Sequence, residues 1–273
     1  MEVSKEIQRE YNPAHPNYER WQKARDLSDE RAKFVEAVLS TELVPEGLKI
    51  LDVGAGEGST SMLFSKKNSV VSIEMKSERI KKISQTDSLQ PVLADSLRFP
   101  FKSASFNLII LQDVIEHLNV DEKITYDLHS LLKKDGVIYL STPNRISLLN
   151  IISDQHWGMP ILSLLKRIQI KKYFLKHFRM NDYNRDDIAE LLSLKDIFDL
   201  FSRNFNIKIC TKFSVSHLLN GGKGLVWSNF HILLVKMVNI LGLKKLLFGI
   251  ANDKPGMINR FLTPTFYFVL KRK

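Results

Sequence analysis

Three carboxylates and a cluster of glycines carry the first chemical signal in this chain. Asp52 opens the run Asp52-Val-Gly54-Ala-Gly56-Glu-Gly58. Glycines at that spacing permit a tight turn and let backbone approach a ligand closely. Glu74 lies 22 residues after Asp52. A carboxylate there can accept hydrogen bonds from both hydroxyls of a ribose. Asp95 follows the next apolar run, where an acid can accept a bond from an adenine amino group. Each acid alone could cap a helix or sit in a solvated loop. Three of them beside a glycine turn favour a nucleoside site.

Such a site needs strand ends to carry it. Short apolar runs at 48–54, 69–75, 91–95, 106–112 and 136–142 read as buried strands, the first closed by the glycine turn. Segments of helical length, such as 77–85 and 121–134, separate them, and 18–39 reads as a helix ahead of the first strand. Strands alternating with helices predict a parallel sheet covered on both faces. After Pro143 the rhythm changes. Ile161, Leu164, Leu165 and Ile168 mark one apolar helical face among lysines and arginines. A helix at 186–194 and a strand at 205–210 resume the α/β pattern. A second excursion carries Phe230, Leu233, Leu234, Met237, Val238 and Leu241 at helical spacing, and 263–271 reads as a last strand.

The loop departs from the dinucleotide fingerprint: its third glycine comes one residue early, and Ser59 stands in the expected place. The acid at its entry suits a cationic ligand group better than a pyrophosphate. With Gln112-Asp113-Val-Ile-Glu116-His117-Leu118, Leu132-Lys-Lys-Asp-Gly136 and Ser141-Thr-Pro-Asn144, the pattern resembles class I S-adenosylmethionine-dependent methyltransferases. Within these it is similar to the type 11 branch of the ubiquinone-biosynthesis O-methyltransferases and related small-molecule enzymes. The resemblance covers roughly 48–144 well and the last strands loosely. It implies a Rossmann-like α/β fold, doubly wound, with a mostly parallel seven-stranded sheet, an antiparallel final strand and two basic-apolar helical insertions. The chain would be one methyltransferase domain: a helical cap at 1–47, a cofactor-binding core at 48–143, and insertions at 144–180 and 214–262.

The resemblance also assigns roles by position. The cofactor would be S-adenosyl-L-methionine. Gly54, Ala55 and Gly56 would pass its methionine part, with Asp52 orienting the loop and receiving the amino group through water. Glu74 would hold the ribose, Asp95 and Ser96 would frame the adenine, and Gln112 would lie near the sulfonium. The helix around Trp21 would close over the cofactor. Asp113 and His117 are the candidate catalytic residues. A histidine has the unperturbed pKa of a base near neutrality, ~6.5. The competing reading has the acid capping a helix and His117 bonded to a backbone carbonyl. Asp113, Glu116 and His117 are weak grounds for a cation, and no metal is expected. His177-Phe-Arg179 matches a His-x-Arg element that related enzymes carry near the substrate.

Of the 273 residues, 44% are hydrophobic and 26% charged, which fits a globular protein and excludes a disordered or collagen-like chain. The one cysteine, Cys210, excludes an intramolecular disulfide, fits a reducing compartment and reads as buried filler. The first ten residues carry no secretory or transit pattern, so a cytoplasmic location is expected. The net charge of +10 is uneven: 144–180 holds seven Lys/Arg against Asp154, and 214–273 nine against Asp253. Mixed with large apolar side chains, these segments suggest a surface for anionic lipid at the inner membrane face, or a lid over a small-molecule or lipophilic substrate. A membrane span is not expected, because the most apolar window, 225–243, contains Lys236 and several polar residues. An oxygen acceptor of quinone, phenol or lipid-linked sugar type fits best. The alternative is RNA methylation or RNA binding through the basic insertions. Against nucleic acid, Gln112-Asp-Val-Ile replaces the Pro-Pro-aromatic run used to methylate base amines. Oligomeric state is not legible.

Overall fold

The computed structural model describes residues 10–95, 99–185, 187–226 and 228–273. Strands β1 (Lys49–Val53), β2 (Ser69–Glu74), β3 (Leu89–Leu93), β4 (Phe106–Gln112), β5 (Leu132–Pro143), β6 (Phe205–Ile209) and β7 (Thr265–Arg272) form one sheet of order β3-β2-β1-β4-β5-β7-β6. The first five run parallel. β7 inserts antiparallel between β5 and β6. The order reverses beside β1, between β1 and β4, which is where open α/β sheets bind ligands. The α/β fold class with its antiparallel last strand is as expected.

Alternating side chains divide the core between the two faces of the sheet. Leu51, Val53, Ile109, Leu111, Ile138 and Leu140 bury one face, against α5 (Glu122–Leu131) and α8 (Leu194–Phe201). Ile50, Val70, Leu108, Ile110 and Tyr139 bury the other, against α2 (Ser28–Leu39) and α3 (Ser59–Phe64). Cys210 lies in this second layer, where burial pushes its thiol up to about 12. It is the inert filler expected of it.

Several boundaries differ from the sequence reading. The single helix at 18–39 is two, α1 (Tyr18–Asp26) and α2, broken at Leu27. The helix at 77–85 shrinks to α4 (Ser77–Ile80). Of the helix at 186–194, residue 186 lies outside the described residues and the rest is irregular. There backbone partners from other segments win: Glu190 N–H donates to Glu116 O, and Arg145 N–H to Leu192 O. The helix starts at Leu194, where Ser193 and Asp196 form a reciprocal cap. In the first insertion, α6 (Leu148–Ile152) precedes a 3₁₀ turn, Leu162–Leu164, entered through Ile161 at φ 69°. A helical run follows as α7 (167–178), with a π-helical stretch at Ile170–Leu175. Between β6 and β7 stand α9 (Thr211–Leu219), α10 (Asn229–Ile240), α11 (Lys244–Ile250) and α12 (Met257–Phe261).

Candidate functional site

At the carboxyl ends of β1 and β4 the chain leaves a cleft of about 250 Å³. Asp52, Gly54, Ala55 and Gly56 form its floor, Thr60 and Gln112 one wall, and Trp21, Ala24, Arg25 and Arg31 from α1 and α2 its roof. The glycine turn explains its shape. Gly54 (φ +68°) and Gly56 (φ +58°) adopt left-handed backbone. A Cβ on Gly54 would stand 2.6 Å from a methyl of Val114, whereas one on Gly56 would meet nothing within 4 Å. The turn is thus packed from behind at Gly54 and open at Gly56.

Asp52 sits at the bottom and is 2% exposed. Ser61 Oγ donates to its Oδ2 at 2.5 Å, and Ser72 Oγ donates to Ser61 at 2.7 Å. Burial pushes the Asp52 carboxyl up to about 7, opposed by the Ser61 hydrogen bond and assisted by the charge on Glu74. A buried acid with so few donors favours a cation arriving from the cleft. On the far wall, Thr60 Oγ1 donates to Gln112 Oε1 at 2.7 Å, which fixes the amide at the end of β4.

Glu74 and Asp95 stand differently. Glu74 ends β2 as expected, but it is not on the cleft wall. Its two oxygens accept the N–H groups of Gly56 and Lys76, each at 2.9 Å. It therefore holds the loop from behind, with carboxylate lone pairs left over for a further donor. Asp95 lies two residues beyond β3 on an exposed stretch and does not line the cleft. β3 ends early, at Leu93 opposite Glu74. Ser96 lies outside the described residues.

Neither candidate catalytic residue lines the cleft. Asp113 follows β4 at φ 55°, and its carboxylate is already engaged. Oδ2 accepts from Arg31 at 2.6 Å and Oδ1 from Ser141 Oγ at 2.7 Å. His117 Nδ1 meets the carbonyl of Asp187 at 2.7 Å. A carbonyl only accepts, so Nδ1 carries the proton and Nε2 keeps a lone pair. Burial and the neighbouring His156 pull the imidazole down to about 4, against the opposing charge of Asp187. The carbonyl bond of the competing reading is present, and it leaves Nε2 as the nitrogen that can accept a proton.

No metal was expected from the sequence, yet Glu116, His117 and His156 each bring a ligand atom within 4.8 Å of the others. Among the described residues, Glu116 Oε1 and His156 Nδ1 have no hydrogen-bond partner. A carboxylate and two imidazoles could share a cation. Asp113 stands outside this group, drawn off by Arg31. His177 is exposed on the last turn of α7 and does not reach the cleft.

Sequence reasoning missed Arg31, Ser61 and Thr60. Arg31 and Asp113 are 82 positions apart, so no local spacing links them. Ser61 and Thr60 had one signal: they begin the helix that follows the glycine turn.

Residues 51–140 match a family described as methyltransferase domain. The mitochondrial ubiquinone biosynthesis O-methyltransferase of Rattus norvegicus is 30% identical over 116 residues, 39% of this chain and 34% of that protein. The ubiquinone biosynthesis O-methyltransferase of Haemophilus ducreyi is 29% identical over 110 residues, 36% of this chain and 47% of that one. The alignments thus span a third to a half of these relatives. Among solved structures, an S-adenosylmethionine-dependent methyltransferase of Mesorhizobium loti superposes with a TM-score of 0.53 at 13% identity, covering 87% of this chain and 98% of that one. At that identity the likeness concerns the fold.

Proposed function

We propose that this chain, whose residues 51–140 are a class I S-adenosylmethionine-dependent methyltransferase domain, transfers a methyl group to an oxygen of a small or lipophilic acceptor. The observation that carries the reading is the cleft at the topological switch point. It is floored by a glycine turn open at Gly56 and by a buried carboxylate whose side-chain donor, among the described residues, is Ser61. S-adenosylmethionine fits that donor set, since its ammonium and sulfonium are cations and its other polar end is a ribose. The two O-methyltransferase relatives, matched over this same domain, support oxygen as the acceptor atom.

When bound, the cofactor supplies a methyl group made electrophilic by its sulfonium. The residues of this chain have three tasks. Asp52 neutralises the ammonium end, and the Ser72–Ser61–Asp52 chain fixes its carboxylate before binding. Glu74 keeps the glycine turn in shape through Gly56 N–H, and its remaining lone pairs receive the ribose hydroxyls. Gln112, held by Thr60, lines the wall nearest the sulfonium. Catalysis is then largely a matter of proximity, with the nucleophile about 3 Å from the methyl carbon.

An oxygen nucleophile must lose a proton. His117 is the base in this reading, because its Nδ1–H is anchored on Asp187 and its Nε2 is free to accept. A base pulled down to about 4 is weak, so it takes the proton late in the transfer. As the new C–O bond forms, the oxygen becomes cationic and its proton far more acidic. The deciding experiment is mass spectrometry of a cell extract supplied with cofactor carrying a labelled methyl. A label on a phenol, quinol or lipid-linked sugar oxygen supports the proposal. A label confined to RNA replaces it with the nucleic-acid alternative.

A further inference from the structure

The segment between β6 and β7 leaves a helical hairpin whose surface is wrong for water. α10 runs into a turn at Gly242 (φ +67°) and returns as α11. Every residue from 239 to 250 is exposed, although most are apolar. Ile240 is 83% exposed, Leu241 62% and Leu246 57%. α11 rests on α9 along one side, with Phe248 beneath Lys212, yet Leu246, Leu247, Phe248 and Ile250 all stay a third or more exposed. So much exposed apolar surface in one place marks an interaction site. At ~1.5 Å per residue, neither helix can cross a hydrocarbon layer of ~30 Å. Among the described residues no helix is long and apolar enough to span a membrane.

Charge identifies the partner. Lys236, Lys244 and Lys245 flank the apolar tip and are exposed. Among the described residues, none of the three pairs with a carboxylate. Asp253 is the one acid between 211 and 273. A second copy of this chain docking here would bring lysines against lysines. An anionic lipid surface answers both features, with phosphates for the lysines and an acyl boundary for Ile240, Leu241 and Leu243. We propose that the 229–250 hairpin seats the protein on an anionic phospholipid bilayer, lying in the headgroup boundary.

The base of the hairpin is fixed to the roof of the cleft. Lys23 of α1 hydrogen-bonds Asn229 at the start of α10. Just upstream, a Cβ on Gly224 would stand 2.7 Å from the backbone nitrogen of Arg31, so only glycine lets this connection lie flat on α2. Trp21 and Arg31 of these same two helices face the cleft. A bilayer gripping the hairpin would hold the cleft at a set height over the lipid. The docking itself stands on the hairpin's exposure and charge, independently of the methyl-transfer reading.

The test is co-sedimentation of the full chain with phosphatidylcholine vesicles, with and without phosphatidylglycerol. The wild type should pellet with the anionic vesicles, remain in solution with the neutral ones, and be released by salt. Reversing three charges (K236E, K244E, K245E) should weaken binding by about a hundredfold or more, at roughly fivefold for each lysine removed. Ile240→Asn with Leu241→Asn should also abolish it. Calorimetry with S-adenosylhomocysteine checks that both variants remain folded. Wild-type protein left in the supernatant with anionic vesicles overturns the proposal, as does full binding by the charge-reversed variant. So does a concentration-dependent dimer that the Ile240/Leu241 variant disperses without any wild-type vesicle binding. Vesicle binding without nucleoside binding would refute the methyl-transfer reading and leave the hairpin's role standing.

Discussion

Asp52 and Ser61 share a 2.5 Å hydrogen bond beneath the glycine turn, and Ser72 braces Ser61 from the next strand. Among the described residues, that short relay is the side-chain support for a buried carboxyl raised to about 7 by its burial. The unfolded chain ionises this group near 4, so the folded state holds the proton more tightly. Its stabilising contribution is complete below pH ~4 and is lost as pH rises through about 7. The ligand-free protein should therefore lose stability from about pH 4 to 7, by up to a few kcal/mol from this group, and level off above that. Asp52→Asn should flatten that slope in thermal melts. Asn cannot neutralise an ammonium, so the same variant should bind S-adenosylhomocysteine ~10–100-fold more weakly.

Proton release offers an independent check of the same group. A bound ammonium favours the carboxylate, so binding at pH 6 should expel close to one proton from Asp52. Calorimetry in buffers of different ionisation enthalpy reads that number. Binding heats independent of buffer would count against Asp52 as the ammonium partner.

Gly54 and Val114 define how tightly the turn can close. Gly54→Ala combines a left-handed backbone with a contact of 2.6 Å to Val114. The expected cost is ~1–3 kcal/mol of stability, measured by denaturant titration, with weaker cofactor binding. Adding Val114→Ala should relieve the contact and leave the backbone strain, so recovery should be partial.

The two candidate catalytic residues can be separated kinetically. His117→Gln should lower turnover about 10²–10⁴-fold while cofactor affinity stays within about twofold. Arg31→Ala leaves Asp113 with Ser141 but without its cation, and Arg31 also lines the cleft. It should lower both stability, by ~1–3 kcal/mol, and cofactor affinity. Equal loss of affinity in both variants would place His117 in binding and not in proton transfer.

Asn144, fully buried at the end of β5, ties the last strand to the core. Its amide nitrogen reaches the carbonyls of Asn259, Arg260 and Thr263 at 3.3, 3.0 and 2.9 Å, and its oxygen accepts from Ile146 N–H. Asn144→Ala strands several buried acceptors, so a loss of ~2–4 kcal/mol is expected in chemical denaturation. Because none of these groups lines the cleft, the folded fraction should keep wild-type nucleoside affinity.

What the residues alone determine here is local and periodic. Buried strands must be apolar along their length, which made β1, β2, β4 and β5 legible within a few residues. The glycine turn needs left-handed backbone, so Gly54 and Gly56 could be placed on a cleft without coordinates. The order of acids along the strand ends brought Asp52 and Glu74 to one edge of the sheet. Tertiary structure alone decided where those carboxylates point and which partners they already have. Glu74 is spent partly on its own loop, and Asp113 is claimed by Arg31 from across the molecule. Distant backbone groups also overruled the helical pattern at 187–192, because pairing with residues 116 and 145 satisfies the same polar groups. The helical spacing from Phe230 to Leu241 forms a helix, yet Leu233, Met237 and Leu241 on it are exposed. Periodicity reports that a side is apolar. Only the packing of every other element shows whether anything in the chain is left to cover it.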